Sequence, residues 1–229
     1  MMSARRILVS ILTSALALSA RGPHGASEAF SPGSSLGRVL TALQAKYARM
    51  RSLAADFVQI YHAAGSPTRR EEGTVLLAKP RRMRWHYRRP EEKLFVSDGT
   101  HVSLYVPAER QVIRAKIREA EDIKAAFAFF LGELDLQRVF ARIEQVTHPA
   151  PLQAGDIVLR FIPRDARFGF SEVIAEINPV SLHIVRVLIR ELDGARSDFL
   201  FSNIRENVAV SRSDFVLSLP PGVRILNAQ

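Results

Sequence analysis

From Met50 onward, apolar and polar residues alternate with a period of two in run after run, and this most constrains the fold. Met83, Trp85 and Tyr87 alternate with Arg82, Arg84, His86 and Arg88. Ile157, Leu159 and Phe161 recur against Arg160; Val173, Ala175 and Ile177 against Glu172 and Glu176; Val185, Val187 and Ile189 against Arg186 and Arg190. Phe215, Leu217 and Leu219 oppose Ser218 in the same way. In a β-strand, successive side chains point to opposite faces, so each run presents one apolar and one polar face. The pattern predicts strands over about 54–63, 69–78, 81–88, 92–97, 101–106, 110–117, 142–148, 156–163, 171–178, 181–192, 196–206 and 213–219. Gly65-Ser66-Pro67, Asp98-Gly99 and Asp193-Gly194 punctuate them, the last with the signature of a tight hairpin.

Two stretches depart from that period. Leu36, Val39, Leu40, Leu43, Tyr47 and Met50 form one stripe at helical spacing, with Ser34 or Ser35 placed to cap the helix. A helical interruption spans about 120–141, where Ile123, Phe127, Phe130 and Leu131 share a face and Gly132 stops the helix. Phe129 lies off that stripe, so this helix is apolar on more than one side. Leu136, Val139 and Phe140 predict a further short turn. The expected class is α+β, mainly β: an antiparallel sheet of about 11 strands, which must curl or close, with about three short helices. Its shared apolar face is larger than so little helix can cover as a close-packed core. Either the sheet closes on its own side chains, or it encloses a cavity for an apolar ligand.

Residues 1–20 read as an address. Arg5 and Arg6 precede Ile7–Ala20, an uncharged run shorter than the roughly 20 residues a bilayer requires, with small residues near Ala20. A signal peptide cleaved near Ala20 is expected, then a flexible leader over 21–35 and a single domain over 36–229. The exported product carries about +7 net charge, and six basic residues crowd Lys79–Arg89 (Lys79, Arg81, Arg82, Arg84, Arg88, Arg89). Export removes the protein from nucleic acid, so this stretch reads as a solvated basic face, or as a docking surface for an acidic partner.

Catalysis has no support in the residues. There is no cysteine, which excludes thiolate chemistry, zinc–cysteine sites, iron–sulfur clusters and lipid attachment through cysteine. The six histidines form no HxH or HxxxH pair, and nucleophile-elbow, Walker and dinucleotide motifs are absent. Glu71-Glu72, Glu91-Glu92 and Glu121-Asp122 read as solvated turns, because neighbours on a strand face opposite sides. No cofactor and no metal are expected.

The ordered features Phe57-x-Gln59, Gly73, Lys79-Pro80-x-x-Met83-Arg84-Trp85-x-Tyr87-x-x-Pro90, Ser97-Asp98-Gly99, Tyr105-x-Pro107, Phe130-Leu131 and Phe215-x-Leu217-x-x-Pro220-Pro221-Gly222-Val223 span about residues 36–226. Together they resemble the LolA family of periplasmic lipoprotein carriers. The resemblance implies an unclosed, strongly curved half barrel with helices as a lid over an apolar cavity. Leu40, Leu43, Phe57, Met83, Trp85, Tyr87, Phe199 and Phe201 would line it, with Phe127, Phe129, Phe130 and Leu131 from the lid. The family commonly has arginine before the strand-three proline, hydrogen-bonded to the lid. Here Lys79 would be the latch, with one ammonium in place of a planar fork. The implied partners are acylated lipoproteins, an inner-membrane ABC transporter of the LolCDE type and an outer-membrane acceptor of the LolB type. The resemblance further implies a periplasmic monomer that touches membranes transiently. A carrier or sensor of another lipid, such as a glycolipid, is the alternative on the same fold.

Overall fold

The computed structural model describes residues 35–116 and 136–227. The described residues begin with a helix, α1 (Ser35–Arg49), and continue as β1 (Ser52–His62), β2 (Arg69–Ala78), β3 (Arg82–Arg89), β4 (Lys93–Asp98), β5 (His101–Val106) and β6 (Gln111–Lys116). After a single helical turn, α2 (Leu136–Val139), come β7 (Phe140–Gln145), β8 (Ile157–Pro163), β9 (Phe170–Ile177), β10 (Ile184–Glu191), β11 (Arg196–Glu206) and β12 (Arg224–Asn227).

All twelve strands form one sheet in the order β12-β6-β5-β4-β3-β2-β1-β11-β10-β9-β8-β7. Short connections make chain neighbours antiparallel, since a hairpin permits nothing else. The pairing that shapes the molecule is non-local: β1 lies antiparallel to β11, with Phe57 opposite Phe201 and Gln59 opposite Phe199. This unites the two runs of hairpins in one curved sheet. β7 and β12 remain as its two edges, so the barrel is unclosed. Register shifts within β1–β11, β2–β3, β9–β10 and β7–β8 mark bulges, which bend strands and increase twist.

The concave face carries the main core. Leu53, Ala55, Phe57, Val75, Leu77, Met83, Trp85, Leu159, Phe161, Val173, Ala175, Ile177, Val187, Ile189, Phe199 and Phe201 are buried there, together with Leu40, Leu43 and Tyr47 of α1. At one place the alternation slips: Val185 is only half-buried and Ile184 takes its core position. The bulge between Ile184 and Arg186 reverses the parity there.

Two expectations need correction. Where about three helices were expected, the described residues contain one helix longer than a turn, α1, and the single turn α2. Most of the predicted helical segment 120–141 lies outside the described residues. In place of a strand over 213–219 there is a 3-10 turn, Ser213–Phe215, and then irregular chain; the last strand is β12, which joins β6 in parallel. Pro220 and Pro221 cannot donate to a ladder. Phe215 also faces the opposite way from its expected side. It is buried on the convex surface against Ala78 and Val96, beside Leu76, Leu94, Val210 and Leu217. An irregular segment laid across a sheet presents every second side chain downward, so its pattern imitates a strand.

This C-terminal strap also changes the reading of the basic stretch. The Arg82 guanidinium lies 5.2 Å from the centre of the Phe215 ring. Arg84 Nη1 donates to the carbonyls of Asp214 and Val216 at 3.3 and 3.4 Å. Further along, Arg110 Nη2 donates to Pro221 O at 2.7 Å, and Arg224 N to Arg110 O at 2.9 Å. Part of the presumed solvated face thus holds down the chain that reaches β12.

Candidate functional site

The floor of the concave face is aromatic. The centres of Phe57 and Trp85 are 4.9 Å apart with planes at 70°, and those of Phe57 and Tyr87 4.9 Å apart at 80°. Trp85 meets Phe199 at 5.6 Å and Phe201 at 6.1 Å. Edge-to-face pairs of this kind add about 0.5–1.5 kcal/mol each beyond burial of their area. Register explains the first two contacts: Phe57 pairs with Gly73, and Gly73 with Tyr87. With no side chain on the middle strand, the flanking rings close over it. A Cβ at Gly73 would lie 2.0 Å from the His86 carbonyl oxygen, so glycine is also required by the close approach of β3.

The structure therefore brings Leu40, Leu43, Phe57, Met83, Trp85, Phe199 and Phe201 into one buried cluster, with Tyr87 half-buried against it. Phe127, Phe129, Phe130 and Leu131 lie outside the described residues. Trp85, the single tryptophan of the chain, is 2% exposed, so these groups are shielded from water with α1 in place.

Several polar contacts fasten the last turns of α1. Lys79 Nζ donates to the carbonyls of Tyr47 and Ala48, both at 2.7 Å. A helix leaves its last four carbonyls without intrahelical donors and carries partial negative charge there, so an ammonium is well placed. Ile184 N donates to Tyr47 Oη at 3.0 Å, which ties the helix to β10. Burial raises the Tyr47 phenol above its ordinary range, so it stays protonated. Lys46 forms an ion pair with Glu206 at the end of β11, and His183 Nε2 meets the same carboxylate oxygen at 2.6 Å. Asn207 secures the junction, its Oδ1 accepting from Arg51 N at 2.9 Å and its N–H donating to Ser52 O at 2.7 Å.

At the other end of β1 the same face turns polar. Tyr87 Oη donates to Gln59 Oε1 at 2.9 Å. Lys93 Nζ lies 4.7 Å from the centre of the Tyr87 ring and is paired with Glu71, both side chains being 4% exposed. Arg69 Nε sits 3.4 Å from Glu71 Oε1, and its guanidinium lies 5.1 Å from the Tyr61 ring. Burial, and secondarily the Glu71 carboxylate, raise the Tyr87 phenol, so it remains a donor. Glu71 is thus no solvated turn. The signal was in the parity: Gln59 and Lys93 each stand two residues from an inward aromatic, Phe57 and Phe95.

No group of three or more histidine, aspartate or glutamate side chains among the described residues could hold a metal. No helix among them is long and apolar enough to cross a membrane.

The described residues thus form an open, mostly antiparallel half barrel with an aromatic concave face under a helix. Comparison with known proteins gives the family. The model of the outer membrane lipoprotein carrier protein LolA matches residues 48–218, and the chain belongs to that family, which comprises carriers rather than enzymes. The outer-membrane lipoprotein carrier protein of Bordetella avium is 30% identical over 190 residues, covering 80% of this chain and 85% of that one. That of Pseudomonas aeruginosa is 28% identical over 228 residues, covering 96% and 99%. Among solved structures, an uncharacterised conserved protein from Thermus thermophilus shares the fold. It has a TM-score of 0.54 at 13% identity and covers 85% of this chain and 100% of its own.

Proposed function

We propose that this protein is a periplasmic carrier. It takes the acyl chains of lipoproteins released from the inner membrane onto its concave face and passes them to an outer-membrane acceptor. The observation that carries this reading is the continuous aromatic and aliphatic face covered by a helix that polar contacts fasten at its C-terminal end. Each buried CH₂ is worth about 0.8 kcal/mol, so two or three acyl chains exposed to water cost tens of kcal/mol. A soluble intermediary has to hide them, and it has to let them go. Side chains already packed together must give way to the ligand, so binding displaces α1, with Lys79 as the latch. Phe127, Phe129, Phe130 and Leu131 complete the lining. Residues 1–20 direct export, and an ATP-driven inner-membrane transporter supplies the work of extraction.

The test is native mass spectrometry of the protein purified from its own periplasm, followed by lipid extraction and by release assays on inner-membrane vesicles with ATP. A co-purifying acylated protein, or ATP-dependent release of lipoprotein into a soluble complex, is the expected result. A bound glycolipid or free lipid would redirect the function to another transport route. An empty protein that also fails to release lipoproteins would overturn the reading.

A further inference from the structure

One feature of the concave face is at odds with a surface that meets hydrocarbon alone. Lys93 and Glu71 are fully enclosed beside Phe57, Tyr87 and Gln59, and Arg69 stands at their edge with 32% of its side chain exposed. Burying such a pair costs several kcal/mol per ion before their attraction is counted, and well-packed apolar residues of the same volume are often as stable or more so. Stability alone therefore gives little reason for the pair, and acyl chains gain nothing from it.

The cluster also retains unused donors. Arg69 Nε is buried and, although 3.4 Å from Glu71 Oε1 in an ion pair, has no hydrogen-bond acceptor among the described residues. Gln59 accepts from Tyr87 through its carbonyl oxygen, which leaves its amide N–H groups to donate. Two cations against one carboxylate give the cluster a net charge of +1. Donors with residual positive charge suit an oxygen acceptor. Position supports the same conclusion, because the cluster lies at the opposite end of β1 and β2 from the Lys79 latch. The six steps of β1 from Gln59 back to Leu53 span roughly 20 Å, enough for the hydrocarbon of one bilayer leaflet, about 15 Å.

We propose that Arg69, Gln59 and the Lys93–Glu71 pair form a polar subsite. It binds the ester carbonyl oxygens of a diacylglyceryl group and orients the acyl chains along the aromatic floor toward α1. The proposal rests on the carrier reading above, and it adds a specificity for diacylglyceryl esters over bare hydrocarbon chains. Arg69 Nε and the Gln59 amide donate to the carbonyl oxygens. Lys93 and Glu71 hold those donors in place.

Trp85 is the only tryptophan and lies in the floor, so its fluorescence reports occupancy directly. The delipidated protein is titrated with a synthetic S-diacylglyceryl-cysteine peptide carrying two palmitoyl esters. The reference is the same peptide with two hexadecyl ethers, which keeps the hydrocarbon and removes the carbonyls. The wild type is expected to bind the diester about tenfold more tightly, the scale of one charge-assisted hydrogen bond. Arg69→Met, and Glu71→Leu with Lys93→Met, should bring that ratio to near one while leaving diether affinity unchanged. Arg69 is partly exposed, so its variant folds even if the double variant does not. A short-chain phosphatidylglycerol probe, which shares the diacylglyceryl group, separates sources: a diester preference over its diether there too supports the subsite with phospholipid as a second source. Equal binding of both peptides by the wild type, or a ratio retained in Arg69→Met, overturns the subsite alone. Failure of both peptides to bind overturns the carrier reading along with it.

Discussion

Replacing Lys79 by methionine keeps the length and apolar stem of the side chain and removes its ammonium. The losses include two hydrogen bonds, each 2.7 Å long, to the Tyr47 and Ala48 carbonyls at the end of α1. A hydrogen bond to a charged group contributes about 1.5–3 kcal/mol when buried, and a cation at a helix C-terminus about 0.3–1 kcal/mol. The Ala48 bond is exposed, and water can replace the donor at both carbonyls. A net loss of about 2 kcal/mol is therefore expected, which raises the population of displaced α1 about 30-fold. Amide hydrogen exchange reads this locally. Exchange across α1, and at Ile184 N whose acceptor is Tyr47 Oη, should accelerate by about that factor while β8, β9 and the rest of β10 keep their protection, since opening of the helix leaves those strands paired. Ligand uptake should quicken too, because a binding-competent state that is rarely populated lowers apparent affinity in proportion. Lys79→Arg should restore much of the protection, because a guanidinium can donate to both carbonyls. Unchanged protection in α1, or acceleration spread evenly over the whole sheet, would refute Lys79 as a local latch.

Gly73→Ala should lower stability by about 3 kcal/mol, because its Cβ would sit 2.0 Å from a backbone oxygen on β3. The melting temperature should fall by about 10 °C, and an unchanged melting curve would show that β3 yields freely there. Glu191 has a carboxyl raised from the usual 4.5 to about 7, first by burial and then by the nearby Asp193 charge. Its ionisation is disfavoured in the folded protein, so it costs stability as pH rises from 4.5 through 7. Glu191→Gln should therefore melt higher than the wild type at pH 8 and converge with it below pH 4.5. A constant difference across that range would exclude this carboxyl as the cause.

Much of the fold was legible because it is written locally. The period of two in Met83–Tyr87 and Val173–Ile177 needs no partner to be recognised, and the stripe from Leu36 to Met50 announces α1 in the same way. Phe57, Met83, Trp85, Phe199 and Phe201, expected from parity and family likeness to line a cavity, share one buried cluster. The polar end of that face was harder to see. Glu71 resembles any solvated acid until β4 sets Lys93 beside it, two strands away in the sheet.

By itself, the sequence determined the alternation, the turns between strands and the apolar stripe of α1, because each depends on residues a few positions apart. Only tertiary structure decided that β1 pairs with β11, that the Ile184 bulge reverses parity, and that Phe215 packs on the convex surface. The physical reason is that an alternating strand has two faces, and nothing within it says which will be inside. That choice is made by long-range pairing, where burial of one face outweighs the entropy of closing a loop of over a hundred residues between β1 and β11.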